Sequence, residues 1–166
     1  MRLMLQEQML SQDQIASLLS SKVGVVLFSS AHDFSVLFEN KLLHKQNFIL
    51  LGNKKQYDLK QFFNYDINKI ISLCCQEVSD LLLEFARQFD ELIVLVNLNV
   101  LDVCYSPTSA FQQAGGLSTK ELFYFLTRLK ILSNQKSFYV YNYDLSKDSG
   151  QVSKLFLEKF QLEFSH

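Results

Sequence analysis

The chain has 166 residues, enough for one ordinary domain that buries about two thirds of the surface its unfolded form exposes, and it contains no low-complexity tract. Hydrophobic side chains make up 48% and charged ones 20%, so the whole length is able to order and no long disordered tail is expected. Sixteen basic residues against seventeen acidic ones give a net charge of -1, which leaves no field for gathering phosphates and excludes nucleic acid as an expected partner.

Residues 3–19 place Leu5, Met9, Ile15, Leu18 and Leu19 among polar residues, an amphipathic pattern that predicts an N-terminal helix within residues 1–22. The opening residues lack the long apolar centre of a signal peptide, and no window reaches the roughly 18 apolar residues of a membrane span. A cytoplasmic protein without a membrane partner is the expectation. Val23-Gly-Val-Val-Leu-Phe28 is a continuously apolar, β-branched run of the kind a parallel sheet buries on both faces. Phe48-Ile-Leu-Leu51 before Gly52 reads as a second strand, and Asn53-Lys-Lys after it as a solvated turn.

Residues 70–89 carry Val78, Leu81, Leu82, Phe85 and Phe89 at helical spacing, and Leu92-Ile-Val-Leu-Val96 is the clearest strand. Ser118-Thr-Lys-Glu121 ahead of Leu122-Phe-Tyr-Phe-Leu126 matches a capping box, in which each side chain satisfies the other residue's backbone N–H. Phe138-Tyr-Val-Tyr141 reads as a last strand, and Val152, Leu155, Phe156 and Phe160 give a final helix its apolar stripe. The 15 phenylalanines are read as core or interface packing. Cys74, Cys75 and Cys104 show neither metal-type nor disulfide spacing and are read as small buried apolar residues in a reducing compartment.

Strand and helix alternate, which predicts an α/β fold: a single domain with a mainly parallel sheet and helices on both faces, three layers in all. Ligands in such folds sit at the C-terminal ends of strands, and two loops occupy such ends, residues 29–34 and 97–117.

The second loop carries Asn97-Leu-Asn-Val-Leu-Asp102, then Tyr105-Ser-Pro107 and Ala114-Gly-Gly-Leu-Ser118. This resembles, without a gap, the arginase/agmatinase (ureohydrolase) signature Asp-x-Asp-x-x-Asp-Pro, Phe-Ala-Pro-Gly and Pro-Gly-Gly-Leu-Thr. Ser30-Ala-His-Asp-Phe34 falls where that family has Asp-Ala-His-x-Asp, and Tyr141 where it has the Glu of Glu-x-Asn-Pro. The resemblance covers roughly residues 23–163, about the C-terminal half of a typical member, with a deletion between Phe34 and Phe48. It implies a truncated arginase-like fold and, since family members commonly form trimers or hexamers, a homo-oligomer or a protein partner.

In the family these acidic and histidine positions hold two manganese ions, which activate a hydroxide for attack on a guanidinium carbon. Two close dications need several anions around them. Carried over position by position, the ligands become Ser30, His32, Phe34, Asn97 and Asn99, of which only His32 keeps the family's residue. Asparagine retains an amide oxygen but contributes no net charge. The family's earlier histidine motif has no counterpart among the 29 residues before Ser30. Asp102, Pro107, Gly115 and Gly116 match scaffold positions, and Asp102 is not itself a direct metal ligand in the family.

No catalytic residue is assigned. A Cys104–His32 nucleophilic pair would sit at one sheet edge, but nothing in the spacing tests it and a packed cysteine is the simpler reading. Gly115-Gly116 is too short to cradle a phosphate. The expected function is that of a catalytically inactive ureohydrolase-like protein, without a cofactor, serving binding, assembly or regulation. The alternative is a divergent hydrolase of guanidino or amidino compounds, and manganese is expected only if the family chemistry survives.

Overall fold

A computed structural model describes residues 2–6, 23–30, 45–54, 63–106 and 114–165. In chain order the elements are β1 (Arg2–Gln6), β2 (Val23–Phe28), β3 (Phe48–Leu51), β4 (Phe63–Tyr65), α1 (Ile67–Ala86), β5 (Glu91–Asn97), α2 (Thr119–Lys130), β6 (Gln135–Tyr141) and α3 (Val152–Phe164). The six strands form one sheet in the order β1-β6-β5-β2-β3-β4, and every pair is parallel.

The strands predicted from apolar runs all form, because each is buried along its length. Val25, Leu27, Leu50, Ile93 and Leu95 on one face and Val26, Phe28, Leu51, Val94 and Val96 on the other are all essentially inaccessible. The three described helices pack together on the face that carries Val26, Phe28, Val94 and Phe138. The opposite face is buried as well; the expectation that helices cover it falls outside the described residues.

Two edges depart from the sequence reading. Arg2–Gln6 is a strand paired in register with Ser137–Tyr141 and not the start of a helix. Its Met4 and Leu5 are exposed, as suits a sheet edge, so the run never shows the uninterrupted burial that marks β2 or β5. The remainder of the predicted N-terminal helix lies outside the described residues. Phe63–Tyr65 adds the opposite edge and, at three residues, is too short to produce a recognisable pattern.

Helix α1 starts earlier than its apolar spacing indicates, because Asp66 caps it by accepting the Lys69 N–H at 2.9 Å. It kinks at Cys74, whose φ of 62° and ψ of 156° are far from helical. The capping box of α2 forms in full: Ser118 Oγ accepts the Glu121 N–H at 3.2 Å, and Glu121 Oε2 accepts the Ser118 N–H at 2.7 Å. Phe160 and Phe164 on α3 stack at 4.7 Å between ring centroids, with Phe138 of β6 at 4.9 Å from Phe164. Burying each such ring stabilises the fold by about 1.5–3 kcal/mol, which is how α3 is fixed to the sheet.

The cysteines do not fit their sequence reading. Cys74 and Cys104 are exposed and Cys75 is half-buried, all as free thiols. Nor is Asn53-Lys-Lys simply a solvated turn: Asn53 is 1% exposed, and its carbonyl accepts the first N–H of α1.

Candidate functional site

The strand order reverses between β2 and β5. From β2 the chain moves outward to β3 and β4, whereas from β5 it moves the other way to β6. Loops leaving the C-terminal ends of these two strands therefore diverge and open a crevice between them. Ser29 and Ser30 follow β2 on one side of that crevice; Asn97 ends β5 on the other, and Asn99 lies two residues beyond.

Asn97 is fully buried and caps a single 3-10 turn, Leu98–Val100. Its Oδ1 accepts the Asn99 N–H at 3.1 Å and the Asn142 Nδ2–H at 2.7 Å. Asn142 follows β6 with a φ of 66°, a left-handed conformation that asparagine tolerates better than most residues. The Oδ1 of Asn99, equally buried, accepts the Ser29 hydroxyl and the Ser30 N–H, both at 3.1 Å. Both lone pairs of each amide oxygen are thus occupied. The Nδ2 of Asn97 and that of Asn99 are buried and have no hydrogen-bond partner.

The rest of the loop is organised around Asp102. Its Oδ1 accepts the Cys104 N–H at 3.0 Å and its Oδ2 the Gly115 N–H at 2.7 Å. Hydrogen bonds from Cys104 and Gly115 hold this carboxyl at about 2, below its ordinary 3.8. Gly115 adopts a φ of 80°, and at Gly116 an added Cβ would stand 2.4 Å from the Asp102 nitrogen. Only glycine allows that approach. Reciprocal bonds between Val100, Asp102 and Leu117 then fasten the loop end back onto its start.

Ser30, Asn97 and Asn99 come together at the strand tips, and Asp102, Gly115 and Gly116 come together in the clamp beside them. His32, Phe34 and Pro107 lie outside the described residues. Among the described residues no group of three or more His, Cys, Asp and Glu is placed to hold a metal ion. Asp102 pushes the Cys104 thiol up through its hydrogen bond and its charge, the opposite of what an activated nucleophile needs. Asn142 is the participant that the sequence reading missed; no pattern links it to Asn97, 45 positions earlier.

Lys54, just past β3, is half-buried. Desolvation pushes its amine down, partly offset by the charge of Asp102. No described helix is long and apolar enough to cross a membrane.

No protein-family model matches the chain, and no curated protein does. Solved structures do match. The arginase from Bacillus cereus superposes with a TM-score of 0.80 at 13% identity over 93% of this chain and 67% of that one. The agmatine ureohydrolase of Thermoplasma volcanium gives 0.72 at 14% over 94% and 59%. The proclavaminate amidino hydrolase from Streptomyces clavuligerus gives 0.74 at 16% over 87% and 54%. The chain spans about half to two thirds of the length of these enzymes. Its single parallel α/β sheet, with the reversal between β2 and β5, has the arginase/agmatinase (ureohydrolase) fold.

Proposed function

We propose that this chain keeps a ureohydrolase-type fold without a working dimetal centre, and that the fold serves binding, assembly or regulation instead of hydrolysing guanidino compounds. The observation that carries this reading is the hydrogen bonding of Asn97 and Asn99. Each amide oxygen, the only atom of the side chain able to ligate a hard cation, already accepts two protein hydrogen bonds. What remains of each amide is an N–H donor, which repels a cation.

Magnitudes support this reading. Two dications about 3.5 Å apart repel by roughly 20 kcal/mol even at an effective dielectric constant of 20. Neutral amides at 97 and 99 do nothing to offset that repulsion, and Asp102 spends both oxygens on backbone N–H groups. The described residues therefore do not fit a manganese pair.

A role in association is supported by Leu155 and Leu162, two turns apart on one face of α3 and exposed at 61% and 73%. The test is metal analysis of protein purified with added manganese, combined with a urea-release assay on arginine and agmatine. The reading expects substoichiometric manganese and no urea. It also expects that Asn97→Asp with Asn99→Asp restores no activity, because Ser30 still supplies no charge. Stoichiometric manganese with urea release would establish a divergent amidinohydrolase instead.

A further inference from the structure

We infer that the outer face of α3 is an interface for a second copy of this chain, in which the two α3 helices lie side by side and parallel about a two-fold axis. The inference rests on the reading that the fold serves association, and it names the surface and the partner.

The inner stripe of α3, Phe156, Leu157, Phe160 and Phe164, is spent on the core. A surface helix with its apolar stripe so used is expected to be polar on the opposite side. Instead Leu155 and Leu162 both stand out of it, exposed at 61% and 73%. At 3.6 residues per turn the two leucines fall within about 20° of one line along the helix, and Glu158 and Lys159 sit between them at about 50° to either side. Lys159 marks the flank toward α2, with its ammonium 4.6 Å from the centre of the Phe123 ring, and Glu158 marks the flank away from it. Both are more than half exposed. An apolar seam bordered by charges is the pattern of a helix that pairs with another helix.

The distribution of charge selects the partner. Lys154, Glu158, Lys159 and Glu163 sum to zero, so the face has no net attraction for a strongly acidic or basic protein. It does match itself, as a two-fold interface must. An axis running along the helices keeps their direction and exchanges their flanks, which sets Glu158 of each copy beside Lys159 of the other and stacks each leucine on its own counterpart. An axis across the helices would make them antiparallel and keep the flanks on the same side, setting Glu158 beside Glu158 and Lys159 beside Lys159. Opposite signs meet only in the parallel arrangement. Within one copy these charges already form the i,i+4 pairs Lys154–Glu158 at 4.0 Å and Lys159–Glu163 at 3.8 Å. Exposed pairs of that kind are weak and leave both groups able to share a further partner.

The test is sedimentation equilibrium of the full chain between about 10 µM and 1 mM, a range that brackets the affinity of a small interface. Four leucines cover much less than a standard interface, so a weak dimer with Kd on the order of 100 µM is expected. Leu162→Lys, at an exposed position, should raise Kd at least about tenfold and leave melting of the dilute chain unchanged. Glu158→Lys and Lys159→Glu should each weaken the dimer, and the chain carrying both should recover most of the lost affinity, because exchanging the flanks restores opposite signs. On mild oxidation Leu155→Cys and Leu162→Cys should each cross-link to its own counterpart, as read by peptide mass mapping. A chain that stays monomeric throughout the range overturns the inference, as does a dimer indifferent to Leu162→Lys, a double variant no tighter than the single ones, or cross-linking only between positions 155 and 162 of the mixed variants. Stoichiometric manganese with urea release would instead overturn the functional reading beneath it; a monomer that binds no manganese overturns only the present inference.

Discussion

Two parts of one loop have used the same hydrogen-bonding resource differently. At Asp102 two backbone N–H groups meet a carboxylate, whose negative charge they stabilise so well that its pKa falls to about 2. At Asn97 and Asn99 each side-chain oxygen likewise accepts two hydrogen bonds, yet the groups are neutral. Donors in matching number therefore fix the backbone in both places, and charge is kept only where it faces donors of its own loop. The contrast teaches that a strand-tip scaffold is held by acceptors; anionic charge is a separate requirement, imposed by cations.

That contrast is broken most severely by removing an acceptor. Asn97→Leu strands the Asn99 N–H and the Asn142 amide, each worth about 1–3 kcal/mol when buried and unpaired, so a loss of about 2–4 kcal/mol is expected in denaturant unfolding. Asn97→Asp keeps the acceptor and should cost clearly less; equal losses would show that acceptance is not what position 97 provides. Gly116→Ala attacks the clamp instead, forcing a methyl against the Asp102 and Leu101 backbone, and about 1–3 kcal/mol should be lost by the same measurement.

A smaller effect isolates the loop's far end. Ser118→Ala removes the oxygen that caps α2 and should cost about 1 kcal/mol, checked by melting. The smallest effect concerns the charge at 102. Its folded pKa lies below the unfolded value, so its stabilising contribution is present above the ordinary 3.8 and is lost as pH falls through about 2. Because that carboxylate is open to solvent the slope should be shallow. Asp102→Asn should flatten it between about pH 4 and pH 2 in acid titrations followed by circular dichroism.

How much of this was legible in the sequence depends on the range of the causes. The buried strands β2, β3 and β5 declare themselves because full burial demands an unbroken apolar run. The Ser118 and Glu121 capping box is equally visible, since both partners lie within one helical turn. The motif spacing from Asn97 to Ser118 located the loop and its glycines. What could not be read is set by distant strands. Asn142 and Ser29 reach Asn97 and Asn99 only once β6 and β2 flank β5, and they supply the second hydrogen bond to each amide oxygen. The exposure of Cys104 depends on a turn closed by Asp102, and the edge strand Arg2–Gln6 on pairing with β6.

The most direct measurement is crystallographic: crystals grown with excess manganese, with anomalous data collected at the manganese absorption edge. The account predicts no anomalous peak among Ser30, Asn97 and Asn99, whose Oδ1 atoms should keep their protein partners. A pair of peaks there, with the asparagine oxygens turned onto them, would contradict it.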